Sequence, residues 1–313
     1  MLAIKNVLLL LDKELDNQNA LQRAMQICQE QSANLFVSSY VYNHACEEGS
    51  LTDLDLRHDL KALLLEQTQQ WSEALLKEFY LPDDTPLSIC WCKHAFQAVI
   101  HNSENLSFDL VIKAAAAHHS IVDRVLHHQD WNLLKFCPAP TLLVKEKLAW
   151  ESRNIVAAVD ATSLDDSHNI VNEHIFEFAE LINQDKKYQI HLANSYPMMS
   201  LTLASLPDTP IPEDLQQYVV NQHQEACEVI AQKYNISDDN LHIFEGEPDE
   251  VITNVAKKLD ADVILVGVIS QDDMQSVILG STVEQVLDST DCDVLAIKIQ
   301  DGVRNLTDEE EPA

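Results

Sequence analysis

The chain repeats itself. Asp109-Leu110-Val111-Ile112-Lys113 has its match in Asp262-Val263-Ile264-Leu265-Val266, and Pro140-Thr141-Leu142-Leu143-Val144-Lys145 in Asp293-Val294-Leu295-Ala296-Ile297-Lys298, both displaced by 153 positions. Ile4 to Asp12 and Arg153 to Asp160 form a third pair, apolar runs that each end on aspartate. A repeat this long in a 313-residue chain means two copies of one fold, each large enough for its own core. The expected division is residues 1–147, residues 148–300, and a tail, 301–313, whose run Asp308-Glu309-Glu310-Glu311 suits a solvated, disordered end.

Within each copy, short apolar runs alternate with helical periodicity, the pattern of βαβ units around a parallel sheet buried on both faces. Strands are expected near 4–11, 34–41, 87–92, 109–113 and 140–145, and again near 154–159, 188–194, 241–244, 262–267 and 293–299. Helices are expected near 18–31, 55–79, 95–103 and 121–135, and over Leu215 to Tyr234. The fold class is therefore α/β, with two tandem doubly wound five-stranded parallel sheets. Such sheets bind ligands at the carboxyl ends of their strands. The irregular stretches 42–54 and 196–211 follow the second strand of each copy and are candidate lids or interface loops.

Composition narrows the partners. Fifty-one Asp and Glu against 20 Lys and Arg give a net charge of −31, a field that repels nucleic acid and anionic membranes and requires locally strong donors for any phosphate ligand. No run of 18 apolar residues is present to span a bilayer, and the start lacks a basic leader, so a cytoplasmic location is expected. Seven scattered cysteines without a C-x-x-C spacing read as reduced, buried thiols.

Three of the five glycines, Gly246, Gly267 and Gly280, fall in the second copy near its C-terminus, and the matching stretch of the first copy has none. Gly267 would let backbone approach a phosphate with no Cβ in the way, while Gly280, Ser281 and Thr282 open a helix whose free N–H groups favour an anion. Ser281 or Thr282 serves equally well as a plain N-cap, with Glu284 completing a capping box. Gly267-x2-Ser270-x9-Gly280-Ser281, Val159-Asp160 at the first strand end, and Glu245-Gly246-Glu247-Pro248 leading into a helix together resemble the universal stress protein family, over nearly the whole chain.

The resemblance implies a site for ATP. Members that bind it carry G-x2-G-x9-G-[ST] after the fourth strand and an aspartate in the position of Asp160 near the adenine or ribose. Asp160, Gly267, Ser270, Gly280, Ser281 and Thr282 are thus the candidate cofactor-binding residues. Ser270 replaces the middle glycine, and Asp272-Asp273 in the same loop would repel a triphosphate. The resemblance also implies that the final strands, Pro140 to Lys145 and Val294 to Gln300, pair with each other across a two-fold axis, as they do between chains of single-domain members. A further homodimer of the fused chain is left open.

In the first copy the same offset places Ala114, Ala117, His127 and His128 at the motif positions. The length survives but the phosphate cradle does not, so no ATP site is expected there. His118-His119 and His127-His128 lack a metal-ligand spacing, and no metal is assigned. Ala114 to Ala117 could instead line a small apolar cleft for a lipid-like guest. No nucleophile elbow, H-E-x-x-H, Walker A lysine or dinucleotide fingerprint is present. The expectation is a non-enzymatic stress-response protein that acts as a ligand-binding or scaffold and regulatory module. An ATP or AMP sensor working through the second copy is the alternative, and slow ATP hydrolysis ranks last because no lysine or arginine is supplied for it.

Overall fold

The computed structural model describes residues 3–47, 54–103, 106–115, 123–137, 139–145, 150–163, 165–198, 214–268 and 281–298, apart from the side chains of 123–129 and 281. In the first half, β1 (Asn6–Leu11), α1 (Gln18–Gln31), β2 (Asn34–Val41), α2 (Leu54–Glu78), β3 (Leu87–Trp91), α3 (Ala95–Ser103), β4 (Leu110–Ala114), α4 (Asp123–Phe136) and β5 (Thr141–Val144) follow one another. The second half gives β6 (Asn154–Ala158), α5 (Asp166–Ile182), β7 (Gln189–Tyr196), α6 (Leu215–Tyr234), β8 (Leu241–Glu245), α7 (Pro248–Lys258), β9 (Val263–Val268), α8 (Ser281–Ser289) and β10 (Asp293–Lys298).

Local chemistry sets several boundaries. Proline at the start of α7, acids at Asp249 and Glu250 and lysines at Lys257 and Lys258 match the helix dipole at both ends. Just ahead, Gly246 has φ +143°, a conformation that side chains rarely adopt, and its N–H donates to Tyr196 O at 3.0 Å. Asp109 and Asp262 do matching work at the opposite end of the sheet. Asp109 accepts the backbone N–H groups of Lys5 and Asn6 at 2.8 and 2.9 Å, and Asp262 accepts those of Ser152 and Arg153 at 3.4 and 2.6 Å. Each ties the fourth strand of its half to the start of the first.

All ten strands form one sheet, in the order β3-β2-β1-β4-β5-β10-β9-β6-β7-β8. Every neighbouring pair is parallel except β5 and β10, which run antiparallel with Leu143, Leu142 and Thr141 opposite Val294, Leu295 and Ala296. The final strands therefore pair as expected. Leu142 faces Leu295, its own counterpart 153 positions on, so a pseudo-two-fold axis passes through that pair.

Alternation along β1 sends Val7, Leu9 and Leu11 to one face and Leu8 and Leu10 to the other. Helices α1, α2, α5 and α6 cover the first face and α3, α4, α7 and α8 the second, and each apolar core continues without a break from one half into the other.

Three buried polar contacts reinforce the seam. The Asp293 carboxylate accepts from Arg23 Nε at 3.1 Å, Trp150 Nε1 at 2.8 Å and the Lys145 backbone N–H at 2.8 Å, with the Arg23 guanidinium 4.2 Å from the centre of a Trp150 ring. Lys145 Nζ reaches Leu287 O at the end of α8, at 2.7 Å, and its counterpart Lys298 reaches Lys135 O and Cys137 O at the end of α4, at 2.5 and 3.1 Å. The lysine at the end of each half's last strand thus caps the last helix of the other half. Burial pushes the Lys298 ammonium down to about 8, against the pull of Cys137.

All seven cysteines are free. Five are buried, while Cys46 and Cys92 are half-buried, a small departure from the expectation of uniform burial. Burial pushes the Cys28 thiol to about 11, and Cys92 and Cys227 to about 12, where thiols are poor nucleophiles at neutral pH.

Candidate functional site

In the second half the strand order reverses between β6 and β9, and the carboxyl ends of those strands form the crevice in which such sheets hold ligands. Asp160 follows β6, Gly267 lies in β9, and Ser281 and Thr282 begin α8, so the topology brings these four to one end of the sheet. Ser270 and Gly280 lie outside the described residues, as do Asp272, Asp273 and the 301–313 tail. The boundary near residue 147 does too.

Gly267 has a packing reason for being glycine. It pairs with Ile297 of β10, and a Cβ at 267 would lie 2.1 Å from Val171 Cγ1 on α5, so the close approach in the described structure is helix against strand. Gly267→Ala should therefore cost about 1–3 kcal/mol through overpacking, whether or not a ligand is present. Pairing it with Val171→Ala should recover part of that loss in a denaturant titration, and no recovery would show that the glycine answers to something other than Val171.

Asp160 is open. Its side chain is 51% exposed, and the His168 imidazole Nε2 lies 3.8 Å away. Its backbone oxygen accepts from Asn172 Nδ2 at 2.8 Å, which fixes the turn. Beside it, Asn194 Nδ2 donates to Val159 O at 3.0 Å and Asn194 Oδ1 meets His223 Nδ1 at 2.7 Å. His223 Nε2 lies 3.5 Å from the Thr162 hydroxyl, and the ring sits 5.9 Å from that of Tyr196. Burial lowers the His223 pKa, with Asp160 pulling the other way, so the ring is neutral at pH 7.

The matching aspartate of the first half is closed. Asp12 Oδ2 accepts from the Tyr40 hydroxyl at 2.5 Å and pairs with Lys113 Nζ at 3.4 Å, while Oδ1 accepts the Glu14 N–H at 3.1 Å. Lys113 also bonds Asp130 at 2.9 Å and the carbonyl of Ala114 at 3.1 Å. The Lys113, Asp12 and Asp130 side chains are 1%, 8% and 4% exposed, a charged cluster sealed inside the fold. Burial by itself would lower the Lys113 pKa, but Asp130 and Asp12 outweigh it and raise it, so the ammonium is charged.

Comparing the halves locates the difference. At the 153 offset Lys113 corresponds to Val266 and Asp130 to Val283, and from the start of their strands Tyr40 corresponds to Ser195. Sequence reading placed Lys113 in a strand but missed its charge as a signal. A lysine ending an otherwise apolar strand run, opposite a valine in the repeat, was the available clue. Ala114 is buried in β4, His127 and His128 fall in α4 with side chains outside the described set, and Ala117, His118 and His119 lie outside it altogether.

Elsewhere, His191 Nδ1 and His242 Nε2 lie 3.0 Å apart, with His191 Nε2 3.2 Å from Asn154 Oδ1. Burial, then His242, lowers the His191 pKa to about 4, so it is a neutral, mutually bonded group. Among the described residues no set of three or more His, Cys, Asp or Glu side chains is arranged to hold a metal, and no helix is long and apolar enough to cross a membrane.

Residues 151–298 match the model of the universal stress protein family. Over 298 residues, 94% of either chain, the sequence is 30% identical to universal stress protein E of Escherichia coli K12. The chain belongs to the universal stress protein family. A universal stress protein E homologue of Haemophilus influenzae is 27% identical over 94% of this chain and 97% of its own. Among solved structures, a functionally unknown protein of Pseudomonas aeruginosa PAO1 superposes with a TM-score of 0.66 at 26% identity, covering 96% of this chain and 94% of that one. A universal stress protein from Archaeoglobus fulgidus, 15% identical with a TM-score of 0.59, shares the fold over 94% of this chain and 98% of its own. This universal stress protein is thus a tandem member with a stress-response role, its two halves joined in one continuous sheet.

Proposed function

We propose that this universal stress protein works without catalysis, as a stress-response module in which the first half is a fixed structural partner and the second half carries one open ligand cleft. The contrast between Asp12 and Asp160 carries the reading. One aspartate is satisfied by Tyr40 and Lys113 from within the fold, and the other presents a half-exposed carboxylate at the strand ends. An adenine nucleotide, ATP or AMP, is the class of ligand that the second-half motif residues Gly267, Gly280, Ser281 and Thr282 support. A non-catalytic role follows from the loop chemistry, since no lysine or arginine occurs between Gly267 and Ser281 to stabilise a transferred phosphate.

Calorimetry on the full chain tests this, together with native mass spectrometry of protein purified without added ligand. One equivalent of ATP or AMP per chain is expected, abolished by Gly280→Asp, with no phosphate released. Two equivalents, or a site that survives Gly280→Asp, would place binding in the first half and overturn the assignment. A retained lipid-like mass would point instead to an apolar guest.

A further inference from the structure

Resting on the nucleotide reading of the second-half cleft, we propose that His223 is a specificity-determining residue there: with Asp160 it presents hydrogen-bond acceptors that select a ligand by an amino group, the exocyclic amine of an adenine base.

The argument begins with Asn194. A backbone carbonyl can only accept, so the Asn194 atom 3.0 Å from Val159 O must be the amide nitrogen, and this fixes the side chain with its oxygen facing His223. That oxygen, 2.7 Å from Nδ1, in turn requires the imidazole proton on Nδ1. Nε2 is left with a lone pair. Its described neighbour, the Thr162 hydroxyl, sits 3.5 Å away, at the outer limit of a hydrogen bond. Asp160 lies near enough to act on the His223 ring, so the cleft offers a carboxylate and an imidazole lone pair near one another, with the Tyr196 ring beside His223.

The first half shows what such a carboxylate takes. There the aspartate is met by a hydroxyl and an ammonium, both donors, supplied by Tyr40 and Lys113. In the second half those positions hold Ser195, which lacks the reach of a tyrosine, and Val266, which has no donor. The counterparts of those two donors are missing where the cleft is open, and a ligand amine fills the same chemical demand. A carbonyl oxygen in its place would face two acceptors with no proton between them, which is unfavourable in a partly desolvated site.

Calorimetric titration of the full chain with ATP and with ITP, whose base carries a carbonyl in place of the amine, tests the proposal. Wild type should bind ATP at least about tenfold more tightly than ITP. His223→Phe, which keeps a ring but removes the acceptor, should bring the ratio close to one, and His223→Gln, whose amide oxygen can accept, should restore a preference for ATP. Thermal melts of each variant show whether the fold is intact. ATP binding with equal affinity for ITP, or a ratio unchanged in His223→Phe, would overturn this proposal and leave the nucleotide site standing. Failure of wild type to bind either nucleotide would overturn both.

Discussion

Lys113→Val should destabilise the first half by about 3–5 kcal/mol, and Lys113→Val combined with Asp130→Val should return most of that loss. The single change removes the cation that two buried carboxylates, Asp12 and Asp130, now face at 3.4 and 2.9 Å. Neither is exposed enough for water to replace it. The double change reproduces the apolar pair, Val266 and Val283, that the second half already uses on the same scaffold, and it leaves Asp12 bonded to Tyr40 and the Glu14 amide. Denaturant unfolding followed separately for each half would measure the difference. A double variant no more stable than the single one would mean that the ammonium does more than balance Asp130.

Asp293→Ala is the second change of this size, with an expected cost of about 3–5 kcal/mol. It leaves Arg23, 2% exposed, without its carboxylate, and it removes the acceptor of the Trp150 indole N–H and of the Lys145 backbone N–H. Burial pushes the Asp293 carboxyl upward, and Arg23, the Lys145 amide and Trp150 pull it back only in part. Asn at 293 keeps one acceptor and should fall between wild type and alanine. Differential scanning calorimetry should show the variant melting in two separated steps as the halves uncouple. One unshifted transition would show that the apolar contacts across β5 and β10 hold the halves together without the clamp.

The strands and the helices of the first half were legible in the sequence because two periodicities and a repeat agreed, whereas α5 was not among the expected helices. The expected strands near 34–41 and 87–92 are β2 and β3 within a residue, and the final strands pair as the family resemblance implied. The charged interior was not legible. Arg23 and Asp293 stand 270 positions apart, a separation no local pattern reports. Gly267 was open to misreading because close approach to a phosphate and close approach to Val171 leave the same mark on a sequence, the absence of a Cβ. The tautomer of His223 depends on Asn194 and Val159 in three dimensions, so His223 had no signal of its own.

The exchanged lysine caps bear on how the protein is made. Synthesis delivers α4 early, yet the side chain that binds the carbonyls of Lys135 and Cys137 is that of Lys298, added 163 positions after Lys135. The first half therefore waits through the translation of the second with that helix end open to water, and a message cut short before residue 298 leaves a defect in the half already finished. A premature stop near the end of this chain is felt at both ends of the molecule.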